Sequence, residues 1–279
     1  MSTELVIRLT AFIGVFAIIA FWENKSPCRP LKLNKIDRWL NNLGLVALNT
    51  VILRLVFPTA AVGVAALATE HSWGLLNQYP LGFGLSLLIS IIMLDLVIYF
   101  QHVLFHAIPL LWRLHMVHHA DMDYDVTTGL RFHPIEIILS MLIKFAAILV
   151  LGPSIIAVII FEIMLNATAM FNHGNIHLPK WLDSTLRLLI VTPDMHRVHH
   201  STIKTETNSN YGFSLSIWDR LFGTYRAQPK HGHDGMNIGL NQFRDPKKQR
   251  LHWLLLIPFI CKVGEYPINR DDQSRVKGL

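Results

Sequence analysis

The stretch Leu81–His106, LGFGLSLLISIIMLDLVIYFQHVLFH, decides how the chain is read. Twenty-five residues from Leu81 to Phe105 are apolar apart from Asp95, His102 and a few uncharged polar groups. At 1.5 Å per residue such a helix is about 37 Å long, against about 30 Å of hydrocarbon core. Its last turn therefore leaves the membrane, and that turn carries His102 and His106. Asp95, Tyr99, His102 and His106 follow one another at intervals of 4, 3 and 4, which places all four on one helical stripe.

Outward from this stretch, further apolar segments of membrane length run from Leu5 to Trp22 and from Leu43 to Ala68. Two more, Ile135–Leu151 and Ser154–Phe171, are separated only by Gly152-Pro153 and read as a helical hairpin. Leu5–Trp22 lacks a small-residue cleavage pattern and is expected to remain as a membrane helix. The run His252–Ile260 is too short to span and reads as an interfacial helix. The tail from Arg270 is expected to be mobile. Lys25, Arg29, Lys32, Lys35 and Arg38 share the first loop, whereas Thr69–Pro80 holds no Lys or Arg. Placing that basic loop in the cytoplasm, with Ala107–Pro134 and everything after Phe171, puts 22 of the 25 basic residues on one side. The expected fold is an all-α, multi-pass membrane protein of four to five helices. Residues 1–279 form one domain with a helical cap and C-terminus in the cytoplasm.

Composition agrees. Of 279 residues, 52% are hydrophobic and only 16% charged, which excludes a disordered chain and an ordinary soluble enzyme. The chain is expected to take no nucleic acid. The formal charge of +6 fits an orienting cytoplasmic face, with anionic lipid or an acidic electron carrier as the alternative use of Lys247, Lys248 and Arg250. Two cysteines, Cys28 and Cys261, exclude a disulfide framework and a thiolate cluster.

Histidine is the residue in surplus, at 15. Ten fall into two copies of one pattern. The first is His102-x-x-x-His106 followed by His115-x-x-His118-His119. The second is His173-x-x-x-His177 followed by His196-x-x-His199-His200. A chance HxxHH is expected roughly 0.04 times in such a chain, so two copies are a signal. Imidazoles at i, i+3 and i+4 lie about 5–6 Å apart on a helix and can converge on one metal ion. In the second copy Glu162, Asn166, His173 and His177 are expected to share a helical face. Ten nitrogens exceed one ion's capacity, which implies two ions, and neutral imidazole suits iron, zinc, copper or nickel. His71, His231, His233 and His252 stand alone and need no metal, while His133 in RFHP is open between a structural role and support of a ligand.

The strings HVLFH, HMVHH, NHGNIH and DMHRVHH, followed by NSNYG and WDRLFGTY, resemble the fatty acid hydroxylase superfamily, also called the sterol desaturase family. The resemblance covers about residues 94–225, the expected catalytic part. It implies two iron ions (zinc can replace them in a purified sample) held by His102, His106, His115, His118, His119, His173, His177, His196, His199 and His200. It further implies dioxygen as co-substrate and hydroxylation of a C–H position of a membrane lipid: a sterol, fatty acyl, ether-lipid or isoprenoid chain. No fused haem domain is expected, so electrons would come from a separate donor protein. The alternatives are a desaturase with the same iron pair, a metal transporter, and a membrane zinc hydrolase. The HxxHH strings lie in polar segments, against transport, and neither HExxH nor GxSxG is present, against a hydrolase.

Around the boxes, Asp95, His133, Asn172 and Asn210 are candidates to support a ligand imidazole by hydrogen bonding. Asp95 has a rival role, an intramembrane ion pair with Arg54 at equal depth, which is the favoured reading. Lys144 and Glu162 are expected to meet across the hairpin. Asp121, Asp125, Arg131, Asn208 and Tyr211 are further candidates to bond an imidazole or a lipid headgroup, or with Asp219-Arg220 merely to shape the cap. Glu136 is read as a favourable charge at a helix N-terminus.

Overall fold

A computed structural model describes residues 3–79 and 81–269, so the tail expected to be mobile from Arg270 lies outside the described residues. The stem begins with α1 (Thr3–Lys25) and α2 (Lys35–Val56), the latter opened by the Asn34 side chain accepting the Asp37 N–H. The expected single span from Leu43 to Ala68 is in fact two helices. Pro58 cannot supply the N–H a continuing helix needs, so α2 ends at Val56 and α3 (Ala60–Glu70) restarts beyond it. Next comes α4 (Phe83–Ala107), joined through Ile108 to α5 (Pro109–His119), where proline occupies the first helical position.

The hairpin is α6 (Pro134–Leu151) and α7 (Ile155–Asn172). Gly152 stops α6 in a left-handed conformation, φ +69°, and Ser154 caps α7 by accepting the Ala157 N–H. Five segments are long and apolar enough to cross a membrane. Among the described residues there is no β-strand, only isolated bridges. In the cap, α8 (Pro193–His199) is started by Thr192, and α9 (Leu251–Ile260) packs on α5 and α2 with Leu256, Phe259 and Ile260 exposed.

Small and branched side chains join the stem: Ala61, Ala65, Leu94, Ile98, Ile148, Val158 and Phe161 form one buried cluster. Ile19, Val126, Leu130 and Met170 fasten α1 and α7 to the loop below α5. The expected contact across the hairpin is present: Lys144 Nζ lies 2.7 Å from Glu162 Oε1, and Arg8 reaches Glu162 Oε2 at 3.0 Å. The expected Arg54–Asp95 pair is not. Arg54 is exposed on the outer side of α2, while Asp95 is buried and accepts the Leu215 N–H at 3.1 Å and the Trp218 indole N–H at 2.9 Å. Equal depth sets no rotation about the helix axis, and Asp95 faces the cap segment instead.

A buried polar network ties the cap to the stem. Arg38 of α2 donates to Asp121 Oδ2 at 2.7 Å and to Asp125 Oδ2 at 2.5 Å. Arg131 donates to the Val117 carbonyl at 2.9 Å and to Gln249 Oε1 at 2.8 Å. Burial alone would raise the Asp121 carboxyl, but the Arg38 and Arg131 guanidiniums overcome it and hold it at about 2. Asp121, Asp125 and Arg131 therefore fix the end of α5 rather than touch an imidazole.

Candidate metal centre

Four elements deliver histidines to one buried chamber: the last turns of α4, the whole of α5, the end of α7, and α8. The imidazoles sort into two groups. His102, His106, His115, His119 and His199 form the first; His118, His173, His196 and His200 form the second. Within each group one ring nitrogen per residue lies within 4.8 Å of all the others, and all nine residues are buried.

Helix geometry explains the sorting. At about 100° per residue, i+4 falls about 40° to one side of i, and i+3 about 60° to the other. In HMVHH, His115 and His119 therefore face one point, and His118 turns to the second group. In HRVHH, His196 and His200 face the second point, and His199 turns to the first. Each HxxHH string gives its middle histidine to the other group, so three imidazoles of one string do not converge on one point as the spacing alone suggested.

His177 stands apart. Helix α7 ends at Asn172, His173 is its cap, and the chain then runs through Gly174 into an irregular segment. The His177 backbone N–H bonds to the Ser26 carbonyl, and the residue is exposed. The i, i+4 relation with His173 has no helix to act through.

Five rings are held from behind at Nδ1. His102 meets the Tyr211 carbonyl at 2.8 Å, His106 the Asn208 side chain at 3.0 Å, and His199 the Ser209 carbonyl at 2.7 Å. His115 meets Glu136 Oε1 at 2.6 Å, and His173 the Ala169 carbonyl at 2.8 Å. An acceptor at Nδ1 requires the proton there, which leaves the Nε2 lone pair pointing inward. Those Nε2 atoms crowd together: His102 to His115 at 3.1 Å, His106 to His119 at 3.1 Å, and His173 to His196, His118 and His200 at 3.1, 3.2 and 3.2 Å. Between His102 and His115, both held at Nδ1, two lone pairs face each other and cannot hydrogen-bond. Nitrogens bound about 2.1 Å from one ion, however, sit about 3.0–3.4 Å apart. Burial pushes the cap imidazoles down, His115 and His173 to about 3, so they are neutral donors near pH 7. The donor set therefore fits two metal ions with neutral nitrogen ligands.

Aromatic rings wall the chamber. Phe132 stacks on His118 with centroids 4.5 Å apart, Trp112 lies 4.8 Å from His106, and Tyr124 packs on His173 and His200. Gly129 lets its loop pass close behind His173: a Cβ there would lie 2.5 Å from the Ala169 carbonyl and 2.9 Å from His173 Nδ1.

The four candidate supports from sequence have other partners. Asp95 binds the cap segment, and His133 caps α6 by accepting the Ile135 N–H. Asn172 donates to the Phe213 carbonyl, and Asn210, at φ +53°, donates to the Met195 and Arg226 carbonyls. Asp219 accepts the Tyr211 and Gly212 N–H groups and so shapes the turn that presents the Tyr211 carbonyl. Of the flanking candidates, Asn208 and Tyr211 do bond an imidazole. Glu136 is the missed side chain. Its place three residues after His133 signalled only a helix start, and its 21-residue separation from His115 concealed the pair.

A sequence profile described as fatty acid hydroxylase matches residues 87–224, which contain all nine clustered histidines. The chain is 26% identical over 237 residues to an ornithine lipid hydroxylase of Rhizobium tropici, covering 81% of this chain and 69% of that protein. It is 29% identical over 164 residues to the alkylglycerol monooxygenase of Homo sapiens, covering 57% of this chain and 34% of that one. Against the alkylglycerol monooxygenase of Danio rerio it is 33% identical over 135 residues, covering 48% and 29%. The chain thus spans about a third of the length of these two monooxygenases. No solved structure matches it.

Proposed function

Because the chain belongs to the fatty acid hydroxylase superfamily, we propose that it is a dioxygen-dependent membrane hydroxylase that uses two histidine-bound iron ions to oxidise a C–H position of a lipid. It is an oxidoreductase, and its chemistry is lipid hydroxylation. The observation that supports the iron pair is the sorting of nine buried histidines into groups of five and four with closely spaced inward-facing nitrogens. His102, His106, His115, His119 and His199 would hold one ion, and His118, His173, His196 and His200 the other. Iron supplies the activation of dioxygen that breaking an unactivated C–H bond demands and that side-chain acid–base chemistry lacks.

The chain's own residues do the rest. Glu136, Asn208 and the carbonyls of Tyr211, Ser209 and Ala169 fix the rings in the tautomer that exposes Nε2. Phe132, Trp112 and Tyr124 exclude water from the chamber. The catalytic part runs from about residue 94 to 225. The cap and the basic connection between α1 and α2, with Lys25, Arg29 and Lys32, lie on the cytoplasmic side, where a separate donor protein supplies electrons. The lipid is of the polar-headed or ether class on which the named relatives act. A transporter is disfavoured because His102 and His106 occupy the last two turns of α4 rather than its middle.

Two measurements test this. Metal analysis of protein purified with iron should give two irons per chain, and nine-histidine variants none. Lipid extracts of cells with and without the gene, grown in labelled dioxygen, should differ by a species that has gained one labelled oxygen atom. A species that has instead lost two hydrogens would make the enzyme a desaturase, and no oxygen-dependent change would overturn the assignment.

A further inference from the structure

The cap segment that Asp95 anchors does not stay above the stem. Asp95 lies seven residues before His102 on α4, about 10 Å further along the helix and away from the metal chamber. At that level it accepts the Leu215 N–H and the Trp218 indole, and Ser214 pairs with Thr168 of α7 at 2.9 Å. Residues 213–222 therefore descend beside two membrane helices. They are joined to residues 187–191 by the Ser216 N–H to the Leu189 carbonyl, the Val191 N–H to the Ser214 carbonyl and the Ser216 hydroxyl to the Arg187 carbonyl. Polar backbone at membrane depth is tolerated only when it is satisfied within protein, and these bonds and that of Leu215 to Asp95 supply partners for it.

The outer side of this double segment is apolar. Trp181, Leu188, Leu189, Ile217, Leu221 and Phe222 are 44–73% exposed. Phe222 stacks on Tyr99 with centroids 5.3 Å apart and packs at a tilt, 5.0 Å away, on Phe100, itself an exposed residue of the membrane-spanning α4, so the patch continues that helix's outer surface. The exposed charges of these segments have one sign. Between residues 178 and 227 Lys180, Lys204, Arg220 and Arg226 are exposed, whereas Asp183, Glu206 and Asp219 are buried and Asp194 is half-buried.

We propose that residues 181–189 and 217–222 form a wedge set into the bilayer, with Trp181, Leu189 and Leu221 among the acyl chains and Lys180, Arg220 and Arg226 at the anionic headgroups. The occupant of the patch is lipid. The apolar area removes itself from water by insertion, and each basic residue near an anionic surface adds electrostatic attraction. The cap would then carry its own membrane contact beside the histidine chamber, on the same side as the basic loop. This inference rests on the membrane stem and not on the reaction.

The full chain in nanodiscs of phosphatidylcholine and phosphatidylglycerol provides the test. Nitroxide labels on Leu189→Cys and Leu221→Cys, in a Cys28→Ser/Cys261→Ser background, should collide with oxygen and be shielded from an aqueous nickel chelate. A label on Lys204→Cys should behave in the opposite way. In the unlabelled native chain, phospholipids brominated near the headgroup end of the acyl chain should quench Trp181, so Trp181→Phe should lose that quenchable component. Nickel access at positions 189 and 221 equal to that at 204 would overturn the proposal. So would shielding from both probes with spin–spin broadening, which would mean that a second copy of the chain covers the patch.

Discussion

The two histidine groups differ in what stands behind them. In the first, four of five rings are held at Nδ1, two of them by side chains, Glu136 and Asn208, and two by the Tyr211 and Ser209 carbonyls. In the second, only His173 is held, by a carbonyl of its own helix, and the Nδ1 atoms of His118, His196 and His200 have no partner among the described residues. The first group also draws two rings from one unbroken helix, whereas the second draws one from a helix that ends at the site. A ring fixed in tautomer and direction before an ion arrives loses less freedom on binding it. The first site is therefore the preorganised one, and the second takes its final shape with its ion.

The largest effect should come from removing the i+4 histidine of either string. His119→Ala takes one nitrogen from the first group and His200→Ala one from the second. Each should abolish lipid hydroxylation, a loss of at least about 100-fold, because direct ligands matter more than the groups behind them. Metal analysis should separate the two variants: His200→Ala, which reduces the less supported group to three rings, should retain one iron per chain. Equal loss from both variants would erase the contrast. Next in size is Glu136→Gln. It replaces the carboxyl behind His115 by an amide whose oxygen can still accept from Nδ1, and should weaken the first site's metal affinity by about tenfold and leave the second unchanged. In the native protein a chelator should remove the two irons in two phases, the second group's first. Glu136→Gln should bring the phases together, and a single phase in native protein would show the sites to be equivalent.

Much of this arrangement is legible in the amino-acid order, and the limits have a physical pattern. Spans, hairpin and histidine boxes depend on local periodicity, and all are read from residues within a few turns of one another. Lys144 and Glu162 are legible as a pair because a tight turn at Gly152-Pro153 makes equal distances along two helices meet. Arg54 and Asp95 satisfied the same depth rule and failed, since depth leaves the rotation of each helix free. The crossing of His118 and His199 was available from helix angles but needed two helices to face each other, a tertiary fact. Three of the five groups behind the rings are backbone carbonyls, which no residue type announces. Glu136 and Asn208 bind rings 21 and 102 positions away. The membrane wedge was hidden for a similar reason: its apolar residues are scattered through polar segments and gather only when residues 187–191 pair with 213–216.

The smallest expected effect belongs to His177, and it tests the contrast most economically. The spacings His102–His106 and His173–His177 are identical, so a reading from sequence assigns the four residues equal weight. In the fold, His106 Nε2 lies 3.1 Å from His119 Nε2 inside the first group, while His177 is exposed beyond the end of α7. His106→Ala should therefore cost activity on the scale of His119→Ala. His177→Ala should change activity and iron content by less than about twofold, the range of surface substitutions remote from structural features. Loss of one iron in His177→Ala would mean that the segment after His173 folds back when the second ion binds, adding a fifth ring to that group. The two groups would then be alike when loaded, and the difference between them would describe the chain only before it takes up metal.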